Sequence, residues 1–498
     1  MMKFKKFYIT TAIDYVNAPP HIGHLYEKVV TDVIARWHRL LGEDVIFSTG
    51  TDENASKNLT AAKEVGIPVE EFVEKNAREF IRLCKTFNIS NDDFIRTTQK
   101  RHVRVVQLIF KEIFEKGDIY KGFYEGFYCP LCEEFKTEKD LVNGKCPEHE
   151  IEPEYLKEEN YFFNLSKYRE KILKLLNNKF ILPEKRKNEI IERIKRDGLK
   201  DISFSRPNLT WGIDTPIDAK HKIYVWIDAL INYISVLDSE KYKKYWPADV
   251  HVIGKGVNWF HSVIWPAILL SAEIPLPKLI LVHGYLTIEG KKISKSSGLI
   301  INPFKLIEKY PVDAIRYYLI REFRFDEDGD FREASLIAKN NDELVANIGN
   351  FINRVLVFIW KKFNGKVPEP KEFDELDLEL KERINRIAEE IAEELEKFKL
   401  GKALEKINEF STFCNQYFQK KEPWKTKDTN SLYLGINAVA SLAILLEPFI
   451  PFSSERLWNL LNMTGNIHKQ NWYSASEIII KANHKIRKPE ILFKKIEP

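Results

Sequence analysis

Cysteine is scarce in this chain. Five of the 498 residues are cysteine: Cys84, Cys129, Cys132, Cys146 and Cys414. Three crowd together and two stand alone, which suits a reducing compartment and a metal site better than a disulfide framework. Long apolar runs are lacking too. No uninterrupted stretch is long enough to span a bilayer, and the N-terminal MMKFKKFYITTAIDY contains no signal-peptide core. A cytoplasmic, enzyme-sized protein without a membrane partner is the expectation. Neither sign of charge dominates, since 77 basic side chains face 73 acidic ones for a net +4. That balance excludes a polybasic coat, although local basic patches can still serve a polyanion. There is no internal repeat and no low-complexity tract.

The composition, 44% hydrophobic and 30% charged, is that of a globular chain, and its length predicts two to four domains. FYITTAI (7–13) reads as a short buried strand. Leu25, Val29, Val33, Ile34, Trp37, Leu40 and Leu41 recur at helical spacing, and DVIFSTGTDENAS reads as a strand running into a polar loop. Strand, helix and strand of these lengths predict a βαβ unit in a parallel sheet. Residues 118–222 break that rhythm and read as an insertion. Strand-like stretches return at IYVWIDAL (223–230), DVHVIGK (249–255) and KLILVHGYLTI (278–288), and beyond about residue 340 the pattern is helical almost throughout. The expected architecture is α/β: a Rossmann-type parallel-sheet domain in two halves (1–117 and 223–289), split by the insertion. A loop-bearing segment (290–340) and a C-terminal all-α bundle (341–498) follow.

Two short stretches carry chemistry. His21-Ile22-Gly23-His24 stands at the mouth of the first predicted helix. A helix mouth at the carboxyl end of a sheet points unpaired N–H groups and a positive dipole end at an anion, and both imidazoles can face it. Gly23 lets backbone approach a phosphate or base closely. Alone, the quartet reads first as two histidines capping a helix, with a metal pair as a third option that has no obvious third ligand nearby. GKKISKSSG (290–298) puts Lys291, Lys292 and Lys295 on a glycine-bounded loop that can close over a polyphosphate, or be a solvated turn. A third stretch, YCPLCEEFKTEKDLVNGKCPEH, pairs Cys129-x2-Cys132 with Cys146-x2-His149, the spacing of a tetrahedral structural zinc site.

In this order, HIGH and KISKS resemble the signatures of the class I aminoacyl-tRNA synthetases. YITTAIDYVNAPPHIGH, FSTGTDE, IYVWIDALINY, IGKGVNWFHSVIWPA, HGYLTIEGKKISKS and KEPW extend the likeness to the methionyl-tRNA synthetase family along nearly the whole chain. The resemblance implies ATP-dependent activation of methionine to an adenylate, then transfer to a tRNA with a CAU anticodon. His21, His24, Lys292 and Lys295 would be catalytic, and His21, Gly23, His24, Gly254 and Lys295 would bind ATP. Ile13, Tyr15, Asp52, Trp226, Ala229, Tyr233, Val257 and His261 would line the methionine pocket. Asn350, Arg354 and Trp424 would read the anticodon, with Lys420, Lys421 and Lys425 beside them for phosphates. Residues 290–340 would be the KISKS loop and stem-contact region. One zinc in the insertion, Mg2+ brought with ATP, and a monomeric state complete the expectation.

Two positions depart from the family pattern. Gly256 stands where an aspartate usually follows G-K in the ribose-side motif, and Asp14 stands where many relatives carry proline or an aromatic residue. The synthetases for leucine, isoleucine and valine are much longer, and the cysteine enzyme places its zinc ligands in the amino-acid pocket. A synthetase-like RNA-binding zinc protein without catalysis is the rival from another class.

Overall fold

A computed structural model describes residues 5–288, the backbone of 291–292, and 300–497. Its centre is a seven-stranded sheet in the order Asp14–Tyr15, Asp44–Asp52, Lys6–Thr11, Val250–Gly254, Ile280–His283, Ile181–Leu182. Asp93–Arg96 also pairs with Asp44–Asp52. Every pairing is parallel. The chain leaves Lys6–Thr11 through helix Ile22–Leu40 to build one side of the sheet, and returns later at Val250–Gly254 to build the other. The crevice beyond the carboxyl ends of those two neighbouring strands is the topological switch point, where α/β sheets bind ligands.

Three expectations need correction. IYVWIDAL is mainly helix: strand His221–Ile223 is followed by helix Val225–Leu230. A continuous apolar run is buried in either conformation, so periodicity cannot separate them. KLILVHGYLTI is broken into Ile280–His283 and Leu286–Ile288, and the second piece joins a separate small sheet with Lys291–Lys292 and Gly329–Asp330. Within 118–222, a four-stranded antiparallel sheet forms around Ile119–Cys129 and Glu154–Phe163, yet Ile181–Leu182 crosses back to pair with Ile280–His283.

The C-terminal part is a helical bundle containing Asn350–Lys362, Glu375–Glu396, Leu400–Lys421, Thr429–Leu446 and Pro451–Leu460. Thr429–Leu446 has the length and composition to cross a bilayer, with mean hydropathy 1.5, but 89% of it is buried inside the bundle. A helix that is apolar all round needs such a surround. Past residue 461 the only helices among the described residues are the short turns Ile467–Lys469 and Trp472–Ser476. The tail runs back over the bundle, where Asn340 Nδ2 donates to the Lys494 carbonyl (3.0 Å) and the Ile496 amide donates to Asn341 Oδ1 (2.9 Å).

A buried charge cluster joins the two parts. Asp32 Oδ2 accepts from Arg36 Nε (2.8 Å) and Arg316 Nη2 (2.7 Å), and Arg36 Nη1 donates to Glu447 Oε1 (2.7 Å). Burial pushes the Asp32 carboxyl up, but Arg36 and Arg316 together bring it down to about 2. Arg316 also donates to the carbonyls of Phe87, Pro448 and Phe449, so its charge is surrounded by acceptors. Buried charges persist only when paired and hydrogen-bonded in this way.

Candidate functional site

His21 is the N-cap of helix Ile22–Leu40. Its Nδ1 accepts from the Gly23 amide, and His24 Nδ1 accepts from the His21 amide, each at 3.1 Å. The two rings stack with centroids 3.7 Å apart. A nitrogen that accepts carries no proton, so each neutral ring holds its proton on Nε2, as a donor. Burial, reinforced by the nearby Lys28 charge, brings the His24 imidazole down to about 3. The capping and anion-binding readings of this motif are therefore compatible, because the cap uses only the Nδ1 atoms. A side chain on residue 23 would press its Cβ to 3.0 Å from the His21 ring, so Gly23 serves the cap itself. Asp14 lies beside this mouth, with Oδ1 3.9 Å from His24 Nε2, and pairs with the fully buried Lys28 ammonium.

Next to the helix mouth, in the same cleft of about 970 Å³, is an aromatic pocket. The register of Asp14–Tyr15 on Asp44–Asp52 sets Tyr15 opposite Asp52. Asp52 Oδ1 and the Tyr15 hydroxyl are both buried with no hydrogen-bond partner. Burial, with Asp228 and Glu133 nearby, pushes the Asp52 carboxyl well up. A buried orphan acceptor is costly unless a ligand satisfies it, and a ligand ammonium group does so with a charge-assisted bond. Trp226 stacks on Phe260 at 3.7 Å and meets Tyr15 edge-on at 6.1 Å. At the back, the Tyr233 hydroxyl lies 2.6 Å from His261 Nε2, while His261 Nδ1 reaches the Val257 carbonyl at 2.9 Å. The carbonyl can only accept, so Nδ1 carries the proton and Tyr233 donates to Nε2. Burial brings His261 down to about 4, which keeps this relay uncharged at neutral pH. His261 sits in a π-helical turn, Phe260–Ile264, directly before Pro266, whose missing N–H interrupts the ordinary helical ladder. Ile13 and Ala229 complete the walls.

On the other side of the cleft, Gly254 ends its strand and Gly256 follows in a tight turn. Tyr285 crosses above it. The Tyr285 amide donates to Asp328 Oδ1 (2.9 Å), Lys255 lies over the ring at 4.7 Å, and Lys255 Nζ binds Asp328 Oδ2 (2.6 Å). The hydroxyl donates to Glu148 Oε1 at 3.5 Å.

Cys129, Cys132, Cys146 and His149 converge, with their ligand atoms all within 4.8 Å of one another. Cys132 Sγ is 3.4 Å from Cys146 Sγ and 3.2 Å from His149 Nδ1. A tetrahedral ion with metal–sulfur bonds of about 2.3 Å would separate two sulfurs by about 3.8 Å, so this donor set fits one ion with little adjustment. The Cys132 amide points at Cys129 Sγ (3.5 Å), the backbone support such a ligand needs. The cluster borders the aromatic pocket: Trp226 Nε1 donates to the Cys132 carbonyl at 3.4 Å, and the Tyr224 hydroxyl to the Glu133 carbonyl.

The bundle brings Asn350, Arg354 and Trp424 to one surface. Asn350 Nδ2 donates to Asn415 Oδ1 and Arg354 Nη2 to Gln419 Oε1, both at 3.1 Å. The Arg354 guanidinium lies 5.1 Å from the centroids of both Phe418 and Trp424, and Trp424 is 40% exposed. Lys421 does not join them. It turns inward to Asp374 (2.7 Å) and Asp377 (2.9 Å), so its charge is spent on the bundle. Lys425 is paired with Glu422 (2.9 Å).

Lys295 lies outside the described residues. Lys292 is described only by its backbone, paired opposite Thr287. The sequence reading missed Phe260, Phe418, Glu148 and Tyr285. Phe260 stands inside a motif already singled out, and Phe418 lies two residues before the KKEPW segment. Glu148 and Tyr285 meet only in three dimensions and leave no local signal.

Known proteins match this chain along its length. The family model for class I tRNA synthetases (M) matches residues 7–154 and 149–356, and the anticodon-binding domain of tRNA ligase matches 377–497. The methionine–tRNA ligase of Thermotoga maritima is 42% identical over 99% of this chain and 80% of its own length. That of Rickettsia felis is 42% identical over 99% and 98%. The solved structure of Mycobacterium tuberculosis methionyl-tRNA synthetase in complex with methionyl-adenylate superposes with a TM-score of 0.94 at 36% identity, covering 98% of this chain and 100% of that one. The apo form of the same enzyme gives 0.88.

Proposed function

Because the chain belongs to the methionyl-tRNA synthetase family of class I tRNA synthetases, we infer that it is an ATP-dependent ligase joining methionine to its tRNA through a methionyl-adenylate. The observation that carries this reading is the orphan Asp52 Oδ1, set in an aromatic pocket beside an imidazole-capped helix mouth. Asp52 takes the methionine ammonium. Trp226, Ala229, Tyr15 and Ile13 enclose the unbranched thioether, and the Tyr233–His261 relay supplies a polar contact near the sulfur. With the ammonium fixed, a methionine carboxylate oxygen faces the α-phosphorus of ATP.

The oxygen attacks the α-phosphorus in line as the bond to the pyrophosphate oxygen breaks. His21 and His24 donate Nε2–H to charge growing on the α-phosphate. The lysines Lys292 and Lys295 take the leaving pyrophosphate in this reading. Mg2+ bound with ATP would carry part of the phosphate charge. A hydroxyl of the 3′-terminal ribose of tRNA then attacks the carbonyl carbon of the mixed anhydride, and AMP leaves with the bonding pair while its phosphate takes up the hydroxyl proton. No side chain becomes covalently linked.

Zinc at Cys129, Cys132, Cys146 and His149 is structural in this reading, since all four donors are protein groups and no open position remains for substrate. Asn350, Arg354 and Trp424 suit unstacked anticodon bases, offering an amide, a guanidinium and an indole face. A monomer working in the cytoplasm belongs to the same proposal, and light scattering tests the first part. The decisive measurement is exchange between pyrophosphate and ATP with each of the twenty amino acids offered separately. Exchange with methionine alone supports the reading. Exchange with another amino acid overturns the pocket, and none at all in folded, metal-loaded protein overturns the activity.

A further inference from the structure

We propose that Lys361, Lys366, Lys485 and Lys488 form a sequence-independent hold on the tRNA, a basic ridge that grips backbone phosphates alongside the bases met by Asn350 and Arg354. The inference rests on the reading of the helical bundle as an anticodon-binding surface. Helix Asn350–Lys362 carries the first of these lysines. Lys361 follows Arg354 by seven residues, close to two turns, so Asn350, Arg354 and Lys361 share one face of the helix over about 16 Å. Just beyond the helix the chain turns at Gly365. This residue sits at φ 73°, and an added Cβ would lie 2.9 Å from the Trp360 ring, so the turn takes only glycine. The turn is tied to the returning tail: the Ile486 amide donates to the Gly365 carbonyl and the Val367 amide to the His484 carbonyl, each at 2.9 Å. The ridge is therefore a fixed edge of the bundle.

Its charges are uncompensated. Lys361, Lys362, Lys366, Lys485, Arg487 and Lys488 are all exposed, and none has an ion-pair partner among the described residues. Glu369, the acid closest in sequence to Lys366, is turned to Asn483 Nδ2 (3.2 Å). Lys421 and Lys425, by contrast, are bound to carboxylates. Lys366 and Lys485 stand directly opposite each other in an antiparallel bridge. Like charges in that position destabilise the pairing, so stability gives no reason for two lysines there. A polyanion does, because its phosphates meet the ammonium groups and release their counterions. RNA fits better than an acidic protein or a lipid surface. No large apolar side chain is exposed between 360 and 367 or between 481 and 488, whereas a protein hot spot or a membrane-lying face needs such anchors. The ridge continues the helix face that carries Asn350 and Arg354, and the anticodon-binding domain match covers Lys485 and Lys488. Lysines are flexible point charges, which suits a backbone held regardless of its bases.

The test is the salt dependence of binding to a methionine-acceptor tRNA with a CAU anticodon, followed by fluorescence anisotropy. Lys361→Gln/Lys366→Gln/Lys485→Gln removes three charges from exposed, unpaired positions, so the melting temperature should stay unchanged. Its slope of log affinity against log salt should be shallower by roughly 2 to 3, at about 0.7–0.9 per phosphate contact. Between about 50 and 200 mM salt the variant should then lose about 20- to 40-fold less affinity than the wild type. The KM for tRNA in aminoacylation should rise roughly ten-fold or more at about 100 mM salt, while pyrophosphate exchange without tRNA stays unchanged. Preference for the CAU anticodon over an altered one should be kept, whereas Arg354→Ala should reduce it. A triple variant with the wild-type salt slope overturns the proposal, even one that has lost binding to anionic phospholipid vesicles. So does a triple variant that has lost its anticodon preference. If the wild type charges this tRNA, the function stands in both cases. A wild type that binds and charges no tRNA overturns the function reading instead.

Discussion

The Trp226 indole N–H donates to the carbonyl of Cys132, so a wall of the proposed methionine pocket leans on the Cys129–His149 knuckle. Lys57 strengthens the link: its amide donates to Glu133 Oε1 (2.8 Å) while its ammonium lies over the Tyr15 ring. Knuckle and pocket are therefore tied by direct hydrogen bonds, and what loosens one loosens the other.

Removing the metal should accordingly act first on methionine. Cys146→Ser, or treatment with a strong chelator, is expected to raise the KM for methionine and to lower the melting temperature, because structural metal binding is folding energy. Exchange kinetics at saturating ATP, with metal content measured in parallel, checks this. A chelated protein with unchanged methionine KM would detach the knuckle from the pocket.

Asp52→Asn keeps the shape of the side chain and removes its charge. Losing a charge-assisted bond of about 1.5–3 kcal/mol should raise the KM for methionine about 10- to 150-fold. The KM for ATP should stay within about two-fold, and titration calorimetry with methionine alone gives the same comparison without catalysis.

Acid should weaken the fold before it reaches the carboxylates. His24 and His261 are held down at about 3 and about 4, below the ordinary histidine value of about 6.5. The unfolded chain then binds more protons between pH 6.5 and those values, so stability falls as pH drops through that window. Each group contributes a slope of at most about 1.4 kcal/mol per pH unit. His251, buried beside Tyr233, is shifted the same way. Melting temperatures from pH 7.5 to 5 should decline less steeply in His261→Gln than in the wild type.

The Asp14–Lys28 pair gives a double-mutant test. Lys28 is fully buried; burial pulls its ammonium down, and Asp14 more than offsets this. Lys28→Met strands a buried carboxylate and should cost about 3–5 kcal/mol in denaturant unfolding. Asp14→Leu/Lys28→Met should recover most of the loss, since an apolar pair of similar volume replaces the charges.

What the sequence made legible was local. The His21–His24 motif, the Cys129–His149 spacing and helix Ile22–Leu40 each declare themselves within one stretch, because a cap, a knuckle and an amphipathic face are built from near neighbours. The meeting of Asn350, Arg354 and Trp424 came from resemblance, since nothing local to KKEPW says which helix it faces. Lys421 shows the converse. Its neighbours suggest a phosphate contact, but Asp374 and Asp377, distant in sequence, claim its ammonium group. IYVWIDAL was misread because a doubly buried segment hides its period. Tyr285 at Gly256 could be found only by knowing how two loops approach.

The cluster of Asp32, Arg36, Arg316 and Glu447 clamps the far half of helix Ile22–Leu40 to the bundle, while the near end carries His21 and His24. From Asp32 to that end the helix spans about 16 Å. A swing of about four degrees pivoting at the clamp would carry the imidazoles roughly an ångström, a displacement that can cost about a hundred-fold in rate. Mechanical stiffness at a joint far from the helix mouth thus sets the tolerance within which the two histidines would meet the phosphate proposed for them.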